Sequence, residues 1–285
     1  MEQKILLQLS HISKRYKTEH ALKDINMTLR KGEILGFLGP SGAGKTTTIK
    51  IITGQLLPTS GEAKILGTDS TNIDASIYEK IGIVSDNSGV YEKMTVWQNM
   101  AVFAKIWRVP KERIVETLGQ VGLLEHKQKI AGKLSKGQMQ RLVLARSVLH
   151  KPRILFLDEP TSGLDPSTSL AIHKMLLNLR QEGMSIFLTT HNMEEAEKLC
   201  DRVALLYQGK IVEFGSPQEI CLKYNQKKRY RILLDSKETV TLDQNPESAE
   251  RILEWMQQDK IQCIHSCEPT LENVFLTVTG ASLNL

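Results

Sequence analysis

The sequence predicts an α/β protein, with a parallel sheet between helices, an inserted helical unit and a small C-terminal α+β appendix. Three observations carry that prediction. Glu33 to Leu38 is a compact apolar run that leads into a glycine-rich turn and then into helical periodicity from Thr46 to Thr53. Two more short runs, Arg153 to Leu157 and Ser185 to Thr189, are apolar on both faces, as strands in the middle of a helix-covered parallel sheet are. Between about residues 86 and 150 apolar residues recur with helical spacing instead.

Taken in order, Lys4 to Leu38 reads as short strands: Ile5, Leu7 and Leu9 alternate, and Ala21 to Leu29 interleaves apolar with polar residues. The helical unit is carried by Val96, Met100, Phe103, Ala104 and Trp107 on one face and by Ile114, Leu118 and Val121 on another. Met and aromatic residues at this spacing fill a core, so Trp97 and Trp107 receive no functional role. Val203 to Tyr207, the turn Gln208-Gly209 and Lys210 to Glu213 form a hairpin pattern. Beyond Pro217 the chain turns basic and polar, with strands at Tyr230 to Leu234 and Thr239 to Leu242 and a helix from Pro246 to Gln258. The expected domains are therefore 1–217 and 218–285.

Composition excludes several classes. With 41% apolar and 24% charged residues over 285 positions, the chain can bury a core and is neither disordered nor of low complexity. No window approaches the roughly 18 apolar residues of a membrane span, and the N-terminus lacks the pattern of a secretion signal. A net charge of +5, dispersed along the chain, is too small to point to nucleic acid, and Lys227, Lys228, Arg229 and Arg231 read as a solvated surface segment. Cys200, Cys221, Cys263 and Cys267 are too unevenly placed for a disulfide framework, which fits a reducing cytosol. Cys263, His265 and Cys267 lack the second ligand pair of a closed zinc site.

Chemistry concentrates in two places. Gly39-Pro40-Ser41-Gly42-Ala43-Gly44-Lys45-Thr46-Thr47 fits a phosphate-binding loop. The glycines let successive backbone N–H groups face phosphate oxygens, and the following helix adds the positive end of its dipole. Lys45 is placed to hold the β- and γ-phosphates and the Thr46 hydroxyl to ligate Mg²⁺. The strand Ile154 to Leu157 ends in Asp158 and Glu159, adjacent carboxylates suited to different tasks. Asp158 would stand beside the metal, and Glu159, one residue on, would orient and deprotonate a water.

Leu134-Ser135-Lys136-Gly137-Gln138-Met139-Gln140-Arg141 closely resembles the signature motif of the nucleotide-binding subunits of ABC transporters. It precedes Asp158 and Glu159, and Ser162 to Asp165 and Thr190-His191 then fall where that family has its D-loop and its switch histidine. The resemblance covers about residues 4–216, whereas the Asn-Lys-x-Asp tetrapeptide of GTPases does not occur. It implies a P-loop ATPase core with an antiparallel β subdomain, an inserted helical subdomain and a small C-terminal appendix, binding ATP and Mg²⁺. It further implies a head-to-tail homodimer, in which Ser135, Gly137, Gln138 and Asp165 of one copy close over the ATP of the other. Tyr16 would stack on adenine, and His191 would bridge the γ-phosphate and Glu159. The partner implied is a separate multi-span permease, which places the chain in the cytoplasm at the inner face of the membrane.

Glu268 to Phe275 with Thr279-Gly280 is similar to the ending of ATPases of the drug and antibiotic efflux branch, including lantibiotic and bacitracin exporters. Two departures stand out. Lys136 replaces the first signature glycine, and Asp86 occupies the place of a glutamine that joins metal, attacking water and membrane subunit, with Asn87 offering an amide one residue on. The rival readings are a soluble ABC ATPase acting on nucleic acid or ribosomes, and a nucleotide sensor of low turnover. The first usually carries a second ATPase unit or coiled-coil insertions, which this sequence lacks; Asp86 leaves the second open.

Overall fold

The computed structural model describes residues 4–85 and 89–280. The chain divides into two compact units, Met1–Phe214 and Gly215–Leu285. The first opens with β1 (Ile5–Tyr16) and β2 (Glu19–Arg30), an antiparallel pair. These are two strands of twelve residues each, where the alternation pattern predicts shorter ones. The reason is irregular pairing: the register shifts between Leu9 and Ile12 and again before Lys14, and His11 and Asp24 adopt left-handed φ of 55° and 58°. Each shift interrupts the period of two in the sequence while Leu9 and Ile12 both stay buried.

β3 (Ile34–Leu38) is buried at every position, and α1 (Lys45–Ile52) follows the glycine-rich turn. β4 (Ser60–Ile65) and β5 (Thr68–Asp69) complete a four-stranded sheet in the order β2-β1-β4-β5. After α2 (Ala75–Tyr78) and β6 (Ile81–Val84) comes the helical insertion, made of α3 (Val96–Ile106), α4 (Lys111–Gln120) and α5 (Lys136–Val148). The chain then alternates β7 (Ile154–Asp158), α6 (Pro166–Gln181), β8 (Ser185–Thr190), α7 (Met193–Leu199) and β9 (Arg202–Tyr207). It closes the unit with β10 (Lys210–Gly215). Gln208 and Gly209, both with positive φ, form the predicted turn between the last two strands.

The six-stranded sheet runs β10-β9-β3-β8-β7-β6, and β9, β3, β8, β7 and β6 are parallel to one another. Its centre is held by Phe37, Phe156 and Phe187, fully buried, with neighbouring ring centroids 5.7 and 5.9 Å apart. Truncating one of these to alanine costs about 3–5 kcal/mol. Because β3, β8 and β7 are adjacent and parallel, their carboxyl ends, Leu38, Thr190 and Asp158, emerge along one edge. Crevices outside such an edge are where open α/β sheets take ligands.

The second unit contains α8 (Pro217–Lys223), β11 (Arg229–Leu234), β12 (Thr239–Asp243), α9 (Pro246–Gln257), β13 (Ile261–Ser266) and α10 (Leu271–Thr279). Its antiparallel sheet has the order β12-β11-β13. β13 is not among the strands expected from the sequence: it is polar and mostly exposed and is held by pairing such as Ile232 with Ile264. Pro217, the expected last residue of the first domain, opens α8 behind the cap Ser216.

Candidate active site

The glycine loop lies on the sheet edge, with the Gly39 N–H donating to Thr190 O at 3.3 Å. Gly44 has φ 114°, and a Cβ there would sit 2.6 Å from Leu22 Cδ2 and 2.7 Å from Ala21 O, so only glycine fits the last position before α1. Gly44 caps α1 without a side-chain bond, leaving first-turn N–H groups for an anion. Lys45, 6% exposed, donates from Nζ to Gly39 O at 2.7 Å and Pro40 O at 3.1 Å. A buried cation bound only to exchangeable carbonyls and one carboxylate, at the N-terminus of an uncapped helix, fits a polyphosphate.

Asp158 and Glu159 face different partners. The Thr46 hydroxyl donates to Asp158 Oδ2 at 2.7 Å, and the Thr189 hydroxyl donates to Asp158 Oδ1. Glu159 takes a left-handed φ of 48° and donates its N–H to Thr189 O at 3.0 Å, a conformation that costs about 1–3 kcal/mol. The reversal separates the carboxylates. Glu159 Oε1 lies 3.1 Å from Lys45 Nζ, and Oε2 accepts from His191 Nδ1 at 2.9 Å. The structure thus brings together Lys45, Thr46, Asp158, Glu159 and His191 from three chain segments. The Thr46 hydroxyl and Asp158 are hard oxygen donors of the kind that suit Mg²⁺.

The signature residues form a second group. Ser135 caps α5 in a reciprocal box, Gln138 N–H to Ser135 Oγ at 3.2 Å and Ser135 N–H to Gln138 Oε1 at 3.2 Å. A Cβ on Gly137 would stand 2.6 Å from Thr168 Cγ2, so the start of α5 touches the start of α6. Lys136 Nζ donates to Gly163 O at 3.1 Å. Asp165 caps α6, accepting from Thr168 N–H at 2.9 Å, and the hydroxyls of Ser167 and Thr168 hold its carboxyl well below the usual carboxylate range. These bonds stay among the signature, the 162–165 loop and α6, and none of them runs to the glycine loop of the same chain. Tyr16 ends β1 with 45% of its surface exposed and the Lys14 ammonium 5.3 Å from its ring centroid. Asp86 and Asn87 lie outside the described residues. Thr189, and the hydroxyl of Thr190 beyond its place in the Thr190-His191 motif, are not among the expected site residues; paired hydroxyls directly before His191, at the end of a buried strand, are the signal that points to them.

Residues 22–162 match the family described as ABC transporter. A fluoroquinolones export ATP-binding protein of Mycobacterium tuberculosis is 36% identical over 269 residues, which cover 93% of this chain and 89% of that protein. The chain belongs to the ABC transporter family, as an ATP-binding subunit. This ABC subunit is also 35% identical over 239 residues to the bacitracin transport ATP-binding protein of Bacillus licheniformis, covering 83% of this chain and 78% of that one. It superposes on the dimeric structure of a bacterial ABC transporter cassette with a TM-score of 0.67 at 28% identity, over 74% of this chain and 98% of that one. The ABC subunit is therefore an ATP-binding and ATP-hydrolysing enzyme with the P-loop ATPase fold. No helix among its described residues is long and apolar enough to cross a membrane.

Proposed function

We propose that this ABC ATPase powers export of a drug or antimicrobial peptide through a separate multi-span permease, as a head-to-tail homodimer at the inner face of the cell membrane. The observation that carries the catalytic part is Glu159 held between Lys45 at 3.1 Å and His191 at 2.9 Å. The export part is supported by the relatives named for fluoroquinolone export and bacitracin transport, and by the efflux-type ending at Glu268 to Phe275. The proposed assignment is to the efflux branch that includes lantibiotic and bacitracin exporters, with no nucleic-acid partner.

Tyr16 stacks on adenine, and the backbone of Gly39 to Thr47 surrounds the phosphates. Lys45 exchanges its carbonyl and carboxylate partners for β- and γ-phosphate oxygens, which frees Glu159 Oε1 to accept a proton from the attacking water. His191 keeps Oε2 in place and reaches the γ-phosphate. Thr46 and Asp158, with Asp86, are the groups that would hold Mg²⁺, which when bound neutralises phosphate charge. Ser135, Gly137, Gln138 and Asp165 close the site of the second copy, since their own bonds do not lead to the glycine loop of their chain.

The test is co-purification of the tagged full chain with a multi-span protein from detergent-solubilised membranes, followed by ATPase assay of the complex and drug accumulation in cells lacking the chain. A multi-span partner, turnover stimulated by cargo and raised accumulation are expected. Full ATPase activity with no membrane partner and no change in accumulation refutes the export reading.

A further inference from the structure

Glu195 is a carboxylate 3% exposed, in the first turn of α7, and it takes no part in the mechanism above. Its Oε1 accepts from the Thr161 hydroxyl at 2.6 Å and from His173 Nε2 at 2.8 Å, and its Oε2 accepts from the Thr190 hydroxyl at 2.7 Å. The Glu195 N–H donates to the cap Asn192 at 3.0 Å, and the Asn192 N–H donates to Thr190 Oγ1 at 3.0 Å. A buried carboxylate needs such partners wherever it sits. What is particular here is where they come from. Thr161 is two residues beyond Glu159, Thr190 is the residue before His191, and His173 is on α6.

We infer that Glu195 is a positioning residue for ATP hydrolysis, the shared anchor that sets Glu159 and His191 against each other. The two side chains meet at 2.9 Å across a separation of 32 residues. Each belongs to a segment that leaves the sheet edge, at the ends of β7 and β8. Strand pairing fixes the segments only as far as Asp158 opposite Thr189. Beyond that point the Glu159 N–H still reaches Thr189 O at 3.0 Å, and the hydroxyls of Thr161 and Thr190 then tie both segments to a single buried carboxylate. Burial pushes the Glu195 carboxyl up, but hydrogen bonds from His173, Thr161 and Thr190 more than offset it, so the group stays an acceptor for all of them. Small displacements of a catalytic group lower turnover strongly, while the glycine loop meets Thr190 at its carbonyl, through the Gly39 N–H at 3.3 Å, and not at the hydroxyl that Glu195 holds.

The inference rests on the reading of Glu159 as base and His191 as its partner, so Glu159→Gln is measured alongside. Steady-state hydrolysis by the full chain with Mg-ATP, and binding of a fluorescent ATP analogue, are compared for Glu195→Ala, Glu195→Gln, Thr161→Val and the pair Thr161→Val with Glu195→Ala. Glu195→Ala is expected to lower kcat at least about tenfold, with KM and analogue affinity within about twofold of the parent. Glu195→Gln, which keeps an acceptor for Thr161, is expected to fall between the two. Thr161→Val is expected to lower kcat about threefold alone and to add nothing in the Glu195→Ala background, because the bond it removes is already gone. Parental kcat in a folded Glu195→Ala protein, KM rising as kcat falls, or losses that multiply in the pair overturn the anchor. Should Glu195→Ala fail to fold, unchanged kcat in Thr161→Val overturns it. Normal hydrolysis by Glu159→Gln removes the base assignment instead, and does so independently of the Thr161 and Glu195 comparison.

Discussion

His191 donates from Nδ1 to Glu159 Oε2 at 2.9 Å, joining the ends of two neighbouring parallel strands through side chains that no local periodicity relates. The same carboxylate faces Lys45 at 3.1 Å, so one group meets both the phosphate-loop cation and the histidine. Asp158, one residue earlier, is turned to Thr46 and Thr189.

Glu159→Gln keeps the shape of the side chain and removes its basicity. ATP and Mg²⁺ binding should persist while turnover falls by at least roughly 10²-fold, the size typical of losing a general base, and an ATP-dependent dimer should accumulate. Asp158→Asn should instead weaken the dependence on Mg²⁺. Phosphate release and size-exclusion chromatography read these outcomes, and near-normal hydrolysis by Glu159→Gln contradicts the assignment.

The separation of the signature group from the glycine loop predicts trans complementation. In mixed dimers of Lys45→Ala and Ser135→Arg subunits, one composite site collects both lesions and the other none, so about one intact site per heterodimer should survive. Nucleotide-dependent closure of the mixture is the measurement. Mixed dimers that neither close nor exceed the two parents argue against head-to-tail pairing.

Gly137→Ala places a methyl where Thr168 Cγ2 would be only 2.6 Å away. The starts of α5 and α6 must then separate, at a cost of about 1–3 kcal/mol typical of overpacking. Affinity of the isolated subunit for ATP should be unchanged, because the glycine loop is elsewhere. ATP-dependent dimerisation should weaken. A fall in ATP affinity of the monomer would mean that the signature group contributes within its own chain.

His150 donates from Nε2 to Ile81 O at 2.9 Å and stacks on Trp107 at 4.5 Å, and burial pushes its imidazole pKa down from the usual 6.5. The unfolded chain therefore binds the proton more readily, and stability is lost as pH falls through the window below about 6.5. His150→Phe keeps a ring but cannot titrate. Its melting temperature should lie below that of the parent at pH 7, and the gap should narrow toward pH 5; a gap constant with pH contradicts the burial argument.

The strand, glycine turn and helix from Glu33 to Thr53, the strands that carry Asp158 and Thr190, and the hairpin at Gln208-Gly209 are all legible in the linear chain. Each depends on contacts between near neighbours, namely apolar patterning, φ freedom at glycine and helix capping, and the motifs that carry the family resemblance are likewise contiguous. Where pairing is irregular the sequence misleads: bulges at His11 and Asp24 make two long strands look like several short ones, and polar β13 exists only because β11 pairs with it. The order in which the sheet sets β3, β8 and β7 side by side is also invisible in sequence, since it depends on which buried faces pack together, with β3 and β8 separated by more than a hundred residues. That order decides that Lys45 and His191 meet on one carboxylate of Glu159. It also places Glu195 where nearby Thr190 and the more distant Thr161 and His173 can share it, because a buried charge is tolerated where the fold supplies it with hydrogen-bond donors.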